Sequence, residues 1–258
     1  MSAAPVHARL RALTCGWLTG ATGLFLRGEE GRLRVPVPAF LVEHPEGLVL
    51  FDAGLHPDAA RDPEARLGPA AGVFEVELGR GEDAAARLAA AGVEPRAVRW
   101  LVLSHLHFDH AGGAASFPEA RPVVQRREWE AGHRADAVRR NTYLPEDYAR
   151  LPEPLLVDGE HDLFGDGSVV CVPTFGHTPG HQSLRVRTAG GATVLCADAC
   201  YLRRTLAERH LPAVVHDEEG MRASLDALAA REAAGERLVF GHDPELWRQV
   251  PQAPRAMA

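Results

Sequence analysis

Short apolar runs separated by turn residues recur along this chain, and most of them are too brief for helices. Ala39–Val42 and Leu48–Phe51 predict two strands around a turn at Pro45–Gly47. Trp100–Leu103, Val123–Gln125, Val169–Val172, Leu184–Val186, Ala192–Ala197 and Leu238–Phe240 predict six more. Val123–Gln125 begins just after Pro122, which cannot donate to a strand ladder. Helical patterns lie between the strands. Glu82–Ala91 is rich in Ala and Leu and stops at Gly92. Arg126–Ala137 and Asp217–Ala234 are the others. In the last, Met221, Leu225 and Leu228 share one face, which reads as core. Gly20–Gly31 and Gly54–Gly72 show little periodicity and predict long surface loops. Pro251–Ala258 predicts a frayed tail. The strands are too many and too interspersed for a helical bundle. The order of elements predicts an α/β fold with helices packed outside two sheets. No repeat and no shift in composition divides residues 1–258, so one domain is expected.

Composition narrows the function classes. Of 258 residues, 46% are apolar and 24% charged, enough for a core without staples. The net charge of −7 argues against a general nucleic-acid binder, which would present a basic face. No run approaches the roughly 18 apolar residues of a membrane helix. Residues 1–19 lack the basic start and apolar run of a secretion signal. Cys15, Cys171, Cys196 and Cys200 form no CxxC pair and read as reduced, buried thiols. These features predict a cytoplasmic protein; a homodimer is compatible with them.

The chemistry concentrates in Ser104-His105-Leu106-His107-Phe108-Asp109-His110, directly after the strand Trp100–Leu103. Four ligand-type side chains lie within six residues, on a loop that can aim them in different directions. Imidazole and carboxylate suit zinc, iron, manganese or cobalt. Gly112-Gly113 follows and permits a sharp turn or a close approach of backbone. Three further residues each follow an apolar run: His177, Asp198 and His242. Taken one at a time, each is an ordinary structural residue. Together with the histidine-rich loop they complete a set for two divalent metal ions. His105, His107 and His177 serve one, Asp109, His110 and His242 the other, and Asp198 bridges. Paired metals about 3.5–4 Å apart activate water and clamp oxygens. Asp52, after Leu48–Phe51, could orient a ligand histidine or cap a turn. His181 reads as structural or as a support to the ligands, and His133 as solvated.

These motifs resemble the metallo-β-lactamase superfamily and, within it, the N-acyl-homoserine lactonases. The resemblance is carried by HxHxDH at His105–His110, continued by Ala111-Gly112-Gly113. It is carried also by His177-Thr178-Pro179-Gly180-His181-Gln182-Ser183-Leu184, by Asp198-Ala199-Cys200-Tyr201 and by Phe240-Gly241-His242-Asp243. Phe51-Asp52-Ala53-Gly54 and the segment Val123–Arg126 with Glu128 are similar too. The similarity runs from about residue 35 to residue 245 and is poor before that. It implies an αβ/βα sandwich with both metals, Zn²⁺ foremost, at one edge of two facing mixed sheets. It implies hydrolysis of the lactone ring of N-acyl-homoserine lactones by a hydroxide shared between the metals. It also implies two catalytic side chains: Tyr201 as hydrogen-bond donor to the substrate carbonyl, and Asp109 as the group that moves the proton.

Rival readings carry their own marks. A glyoxalase II-like thioesterase shares HxHxDH but usually adds a C-terminal helical domain, for which the stretch after His242 is too short. A lactonase for another small lactone shares every motif. A nuclease of this fold would want basic residues at the site, for which Arg126, Arg127, Arg139, Arg140, Arg203 and Arg204 are candidates. A non-catalytic ligand-binding module would be expected to lack a ligand, yet all seven positions are filled. A redox di-iron protein would normally need a flavin domain.

Overall fold

A computed structural model of the protein describes residues 6–257. Among the described residues, twelve strands form two sheets. In chain order they are β1 (Arg9–Ala21), β2 (Arg32–His44), β3 (Gly47–Phe51), β4 (Glu75–Glu77), β5 (Val98–Val102) and β6 (Arg121–Gln125). They continue with β7 (Leu155–Val157), β8 (His161–Asp162), β9 (Val169–Pro173), β10 (Gln182–Thr188), β11 (Gly191–Leu195) and β12 (Arg237–Val239). One sheet runs β4-β1-β2-β3-β5-β6-β7 and the other β12-β11-β10-β9-β8. Both are mixed. Strands β3, β5, β6 and β7 pair in parallel, as do β11 and β12; the remaining pairs are antiparallel.

Alternation within the strands sorts side chains into layers. Leu10, Ala12, Phe40, Val42, Val49, Phe51 and Val102 leave one sheet inward, to meet Val169, Cys171, Leu184, Val186, Leu195 and Val239 of the other. The intervening residues Leu13, Val35, Val37, Leu41, Leu50 and Leu101 point outward, into a second core with Leu88, Phe117 and Tyr148. Behind the smaller sheet, Val194, Cys196, Leu238 and Phe240 pack on Met221, Leu225 and Leu228 of the helix Glu218–Ala233. The result is helix on sheet on sheet on helix, the expected α/β sandwich. Because most strands are covered on both faces, they read as continuous apolar runs.

The structure corrects several local expectations. β1 occupies residues for which the pattern predicts no element and runs to Ala21, into the stretch Gly20–Gly31 that predicts a loop. A register shift between Thr14 and Trp17 breaks its alternation, and Gly16 within it has φ 107°. A glycine that would mark a loop instead marks a β-bulge. The rest of Gly20–Gly31 includes a helical turn, Thr22–Phe25. Arg126–Ala137 is two helices, Arg126–Gly132 and Ala135–Asn141, interrupted at His133 and Arg134. Gly54–Gly72 holds the helix Pro63–Leu67, capped by the Asp62 carboxylate on the Ala65 amide. The tail is not frayed as far as residue 257. The Ala253 amide donates to Ala12 and the Met257 amide to Leu10, while Trp247 and Met257 enter the core between the sheets. No helix among the described residues is long and apolar enough to cross a membrane. All four cysteines are buried and free.

Candidate metal centre

The site lies where strands end. Asp52 follows β3, the histidine-rich loop follows β5, His177 follows β9, Asp198 follows β11 and His242 follows β12. β3 and β5 run in parallel, as do β11 and β12, and β9 shares the direction of β11 because both are antiparallel to β10; these ends therefore reach one edge of the sandwich, where loop side chains converge. Backbone bonds hold the loops there. The Gln182 amide donates to Ser104 and so ties the two sheets together, and the His242 amide donates to Tyr201. Gly112 and Gly113 sit against other backbone. A Cβ on Gly113 would lie 2.2 Å from the Ala53 carbonyl oxygen, which requires glycine there.

Seven side chains meet at this edge in two groups. In the first, His107 Nδ1 lies 2.9 Å from His105 Nε2 and 3.1 Å from His177 Nε2. In the second, Asp109 Oδ2 lies 3.6 Å from both His110 Nε2 and His242 Nε2. Asp198 stands between them. Its Oδ2 is 3.2 Å from His177 Nε2 and 3.7 Å from His105 Nε2. Its Oδ1 is 3.2 Å from His110 Nε2 and 3.1 Å from His242 Nε2. Each oxygen of one carboxylate therefore serves one group.

In three of the rings the far nitrogen is held by an acceptor, which sets the tautomer. His107 Nε2 donates to the Asn141 carbonyl at 2.8 Å, and His242 Nδ1 to the Pro36 carbonyl at 2.8 Å. His110 Nδ1 donates to Asp52 Oδ2 at 2.8 Å. Asp52 also accepts from the Ser104 amide and hydroxyl at 2.7 and 2.9 Å. His181 receives the Asp198 amide on Nε2 at 3.1 Å and contacts Thr174 through Nδ1, so it supports the Asp198 backbone. His133 is exposed.

Electrostatics point the same way. Burial holds His105, His107 and His177 below the ordinary histidine range, and His181 falls to about 3 for the same reason. Their lone pairs are therefore free. Burial also pushes His110 and His242 down, but the Asp198 and Asp109 carboxylates outweigh it and draw both upward. A buried pocket that raises these histidines attracts positive charge. His110 Nε2 and Asp198 Oδ1 are buried without a hydrogen-bond partner, and both point into the second group. Two cations would satisfy both observations. The donor set of imidazoles and carboxylates fits zinc-like ions.

The centre opens into a recess of about 90 Å³ lined by polar His107, Asp109, Thr142 and Tyr201, and by apolar Leu18, Leu24, Phe25, Phe74, Phe108 and Val214. Tyr201 packs its ring 5.3 Å from that of His242 and 5.8 Å from that of Phe25. Burial, with the Asp198 and Asp109 carboxylates nearby, raises its hydroxyl well above the ordinary tyrosine range, leaving it a donor. The apolar wall was not anticipated. Leu24 and Phe25 fall in the stretch read as a loop, and Leu18 in the unpredicted β1.

The profile of the metallo-β-lactamase superfamily matches residues 32–242. The chain belongs to the metallo-β-lactamase superfamily. It is 34% identical over 235 residues to the N-acyl homoserine lactonase AttM of Azorhizobium caulinodans, covering 88% of this chain and 89% of that one. It is 31% identical over 216 residues to an N-acyl homoserine lactonase of Bacillus cereus, covering 83% of each chain. A solved N-acyl homoserine lactone hydrolase, with the product N-hexanoyl-L-homoserine bound at its catalytic metal centre, superposes with a TM-score of 0.87. That match has 27% identity and covers 98% of this chain and 100% of the other.

Proposed function

We propose that the chain is a metal-dependent hydrolase that opens the lactone ring of N-acyl homoserine lactones. The observation that carries this reading is Asp198, with one oxygen turned toward each of two ligand groups. His105, His107 and His177 would hold one divalent cation and Asp109, His110 and His242 the other, with zinc the ion the donor set favours. Bound there, the pair supplies an acidified water and Lewis-acid polarisation of the carbonyl. The rest falls to side chains of this chain. The Tyr201 hydroxyl donates to the carbonyl oxygen as negative charge develops on it. Asp109, in the lining of the recess, takes the proton of the attacking water. It returns that proton to the ring oxygen as the acyl C–O bond breaks. Water is added across one ester bond, and the product is the N-acyl homoserine. Leu18, Leu24, Phe25, Phe74 and Phe108 give the acyl chain an apolar wall. Four free buried thiols support a reducing compartment, hence the cytoplasm.

The test is acid release from N-hexanoyl homoserine lactone by the zinc-, cobalt- or manganese-loaded protein, beside a simple γ-lactone, a glutathione thioester and a phosphodiester. Lactone opening should dominate, vanish on chelation and return with metal. Asp109→Asn should nearly abolish turnover. Loaded protein that leaves the homoserine lactone intact would reject the reading, and full turnover by Asp109→Asn would reject the role of that carboxylate.

A further inference from the structure

Glu128 lies on the helix Arg126–Gly132 and is fully buried, yet it touches none of the seven converging side chains through a hydrogen bond. Its partners come instead from the segments that carry or orient them. Oε1 accepts from the Leu106 amide at 3.1 Å and from the Tyr143 hydroxyl at 2.7 Å. Oε2 accepts from the Thr178 hydroxyl and from the Gly180 amide, each at 2.8 Å. Leu106 lies between His105 and His107. Thr178 follows His177. Tyr143 follows Asn141, whose carbonyl holds His107 Nε2, and its ring lies 5.6 Å from that of His107. All four partners donate to the carboxylate, the two amides with no alternative, and these bonds oppose the burial that pushes its pKa up. The fit is close. A Cβ on Gly180 would lie 2.3 Å from the Glu128 backbone nitrogen.

All three segments feed the same group of ligands, His105, His107 and His177. The other group is braced elsewhere, His110 by Asp52 and His242 by the Pro36 carbonyl. We propose that Glu128 is the positioning residue of the three-histidine pocket: one buried carboxylate sets the spacing of the loops bearing His105, His107 and His177, and its loss weakens the cation held there in preference to its neighbour. This inference rests on the two-cation reading above.

Glutamine cannot replace it. Each carboxylate oxygen accepts one backbone N–H and one hydroxyl. The hydroxyls can rotate, but the amides cannot. Whichever way a glutamine is turned, its NH₂ faces a backbone donor. Thr178→Val and Tyr143→Phe each remove one hydroxyl and leave three of the four bonds.

The experiment measures zinc affinity by competition with a chromophoric chelator, resolving two binding steps per chain. Anomalous scattering at limiting zinc assigns each step to a pocket. Glu128→Gln should weaken the three-histidine step about 10- to 100-fold and change the other far less. Thr178→Val and Tyr143→Phe should move the same step by a smaller factor. The absorption of the cobalt-loaded variants should change along with it. Wild-type affinities at both steps in a folded Glu128→Gln protein overturn the proposal. Should Glu128→Gln not fold, wild-type affinities in both single-hydroxyl variants overturn it as well. Wild-type protein that takes up fewer than two cations sinks the two-cation reading itself, which distinguishes that failure from this one.

Discussion

Asp52 Oδ2 accepts a 2.8 Å hydrogen bond from His110 Nδ1, from a backbone held at φ 59°. Few residues other than glycine, asparagine and aspartate adopt that conformation readily. Asp52 therefore combines a chain turn with the bracing of the His110 ring, and three substitutions separate the two. Asp52→Gly keeps the turn and loses the carboxylate. Asp52→Asn keeps the turn and an oxygen but loses the charge. Asp52→Ala loses the carboxylate and adds about 1 kcal/mol of backbone strain. The cation at Asp109, His110 and His242 should bind about 10- to 100-fold more weakly in the glycine and alanine variants, and less so in the asparagine one. Thermal unfolding of the metal-free proteins should place alanine below glycine. Equal metal affinity in all four proteins would show that His110 needs no brace.

Tyr201 faces the recess and is not among the seven converging side chains. Removing its hydroxyl should leave metal content unchanged. Tyr201→Phe should lower kcat by about 10²-fold, the usual effect of deleting one oxyanion donor, with a smaller change in KM. Steady-state kinetics on N-hexanoyl homoserine lactone with parallel metal analysis reads both. A variant with wild-type kcat would assign Tyr201 to packing against Phe25 and His242 alone.

Much of this centre is legible in the sequence because each of its side chains follows an apolar run. Parallel strands bring the ends of β3, β5 and β12 to a common edge, so the pattern that predicts the strands also places the residues after them. What escapes is held by backbone or by depth. The Asn141 and Pro36 carbonyls that orient His107 and His242 leave no mark on residue type. Glu128 sits on a helix whose neighbours Arg126, Arg127 and Glu130 are polar, so its burial is invisible until Tyr143 and Thr178 are brought to it. β1 is hidden by its own bulge. With it goes half of the recess wall, since Leu18, Leu24 and Phe25 depend on where that strand ends. The tail escapes for a related reason. Its short, proline-bearing sequence without periodicity hides two backbone bonds to β1 and the burial of Met257.

Arg66 and Asp147 form an ion pair that pins the segment Gly54–Gly72 to the turn Pro145–Asp147. The Asp147 side chain is 0% exposed and that of Arg66 12%. Away from water, a lone charge is costly, so breaking such a pair by removing one partner generally costs about 3–5 kcal/mol. Arg66→Met and Asp147→Leu should each lower the urea midpoint strongly. Replacing both leaves no stranded charge, so the double variant should lose clearly less than the sum of the two. The same segment leads to Phe74 in the recess wall, so the single variants should also raise KM for an acyl lactone more than they lower kcat. Additive losses across the cycle would mean that the two charges stabilise the fold independently. An unchanged KM would mean that the recess wall holds its shape without this clasp.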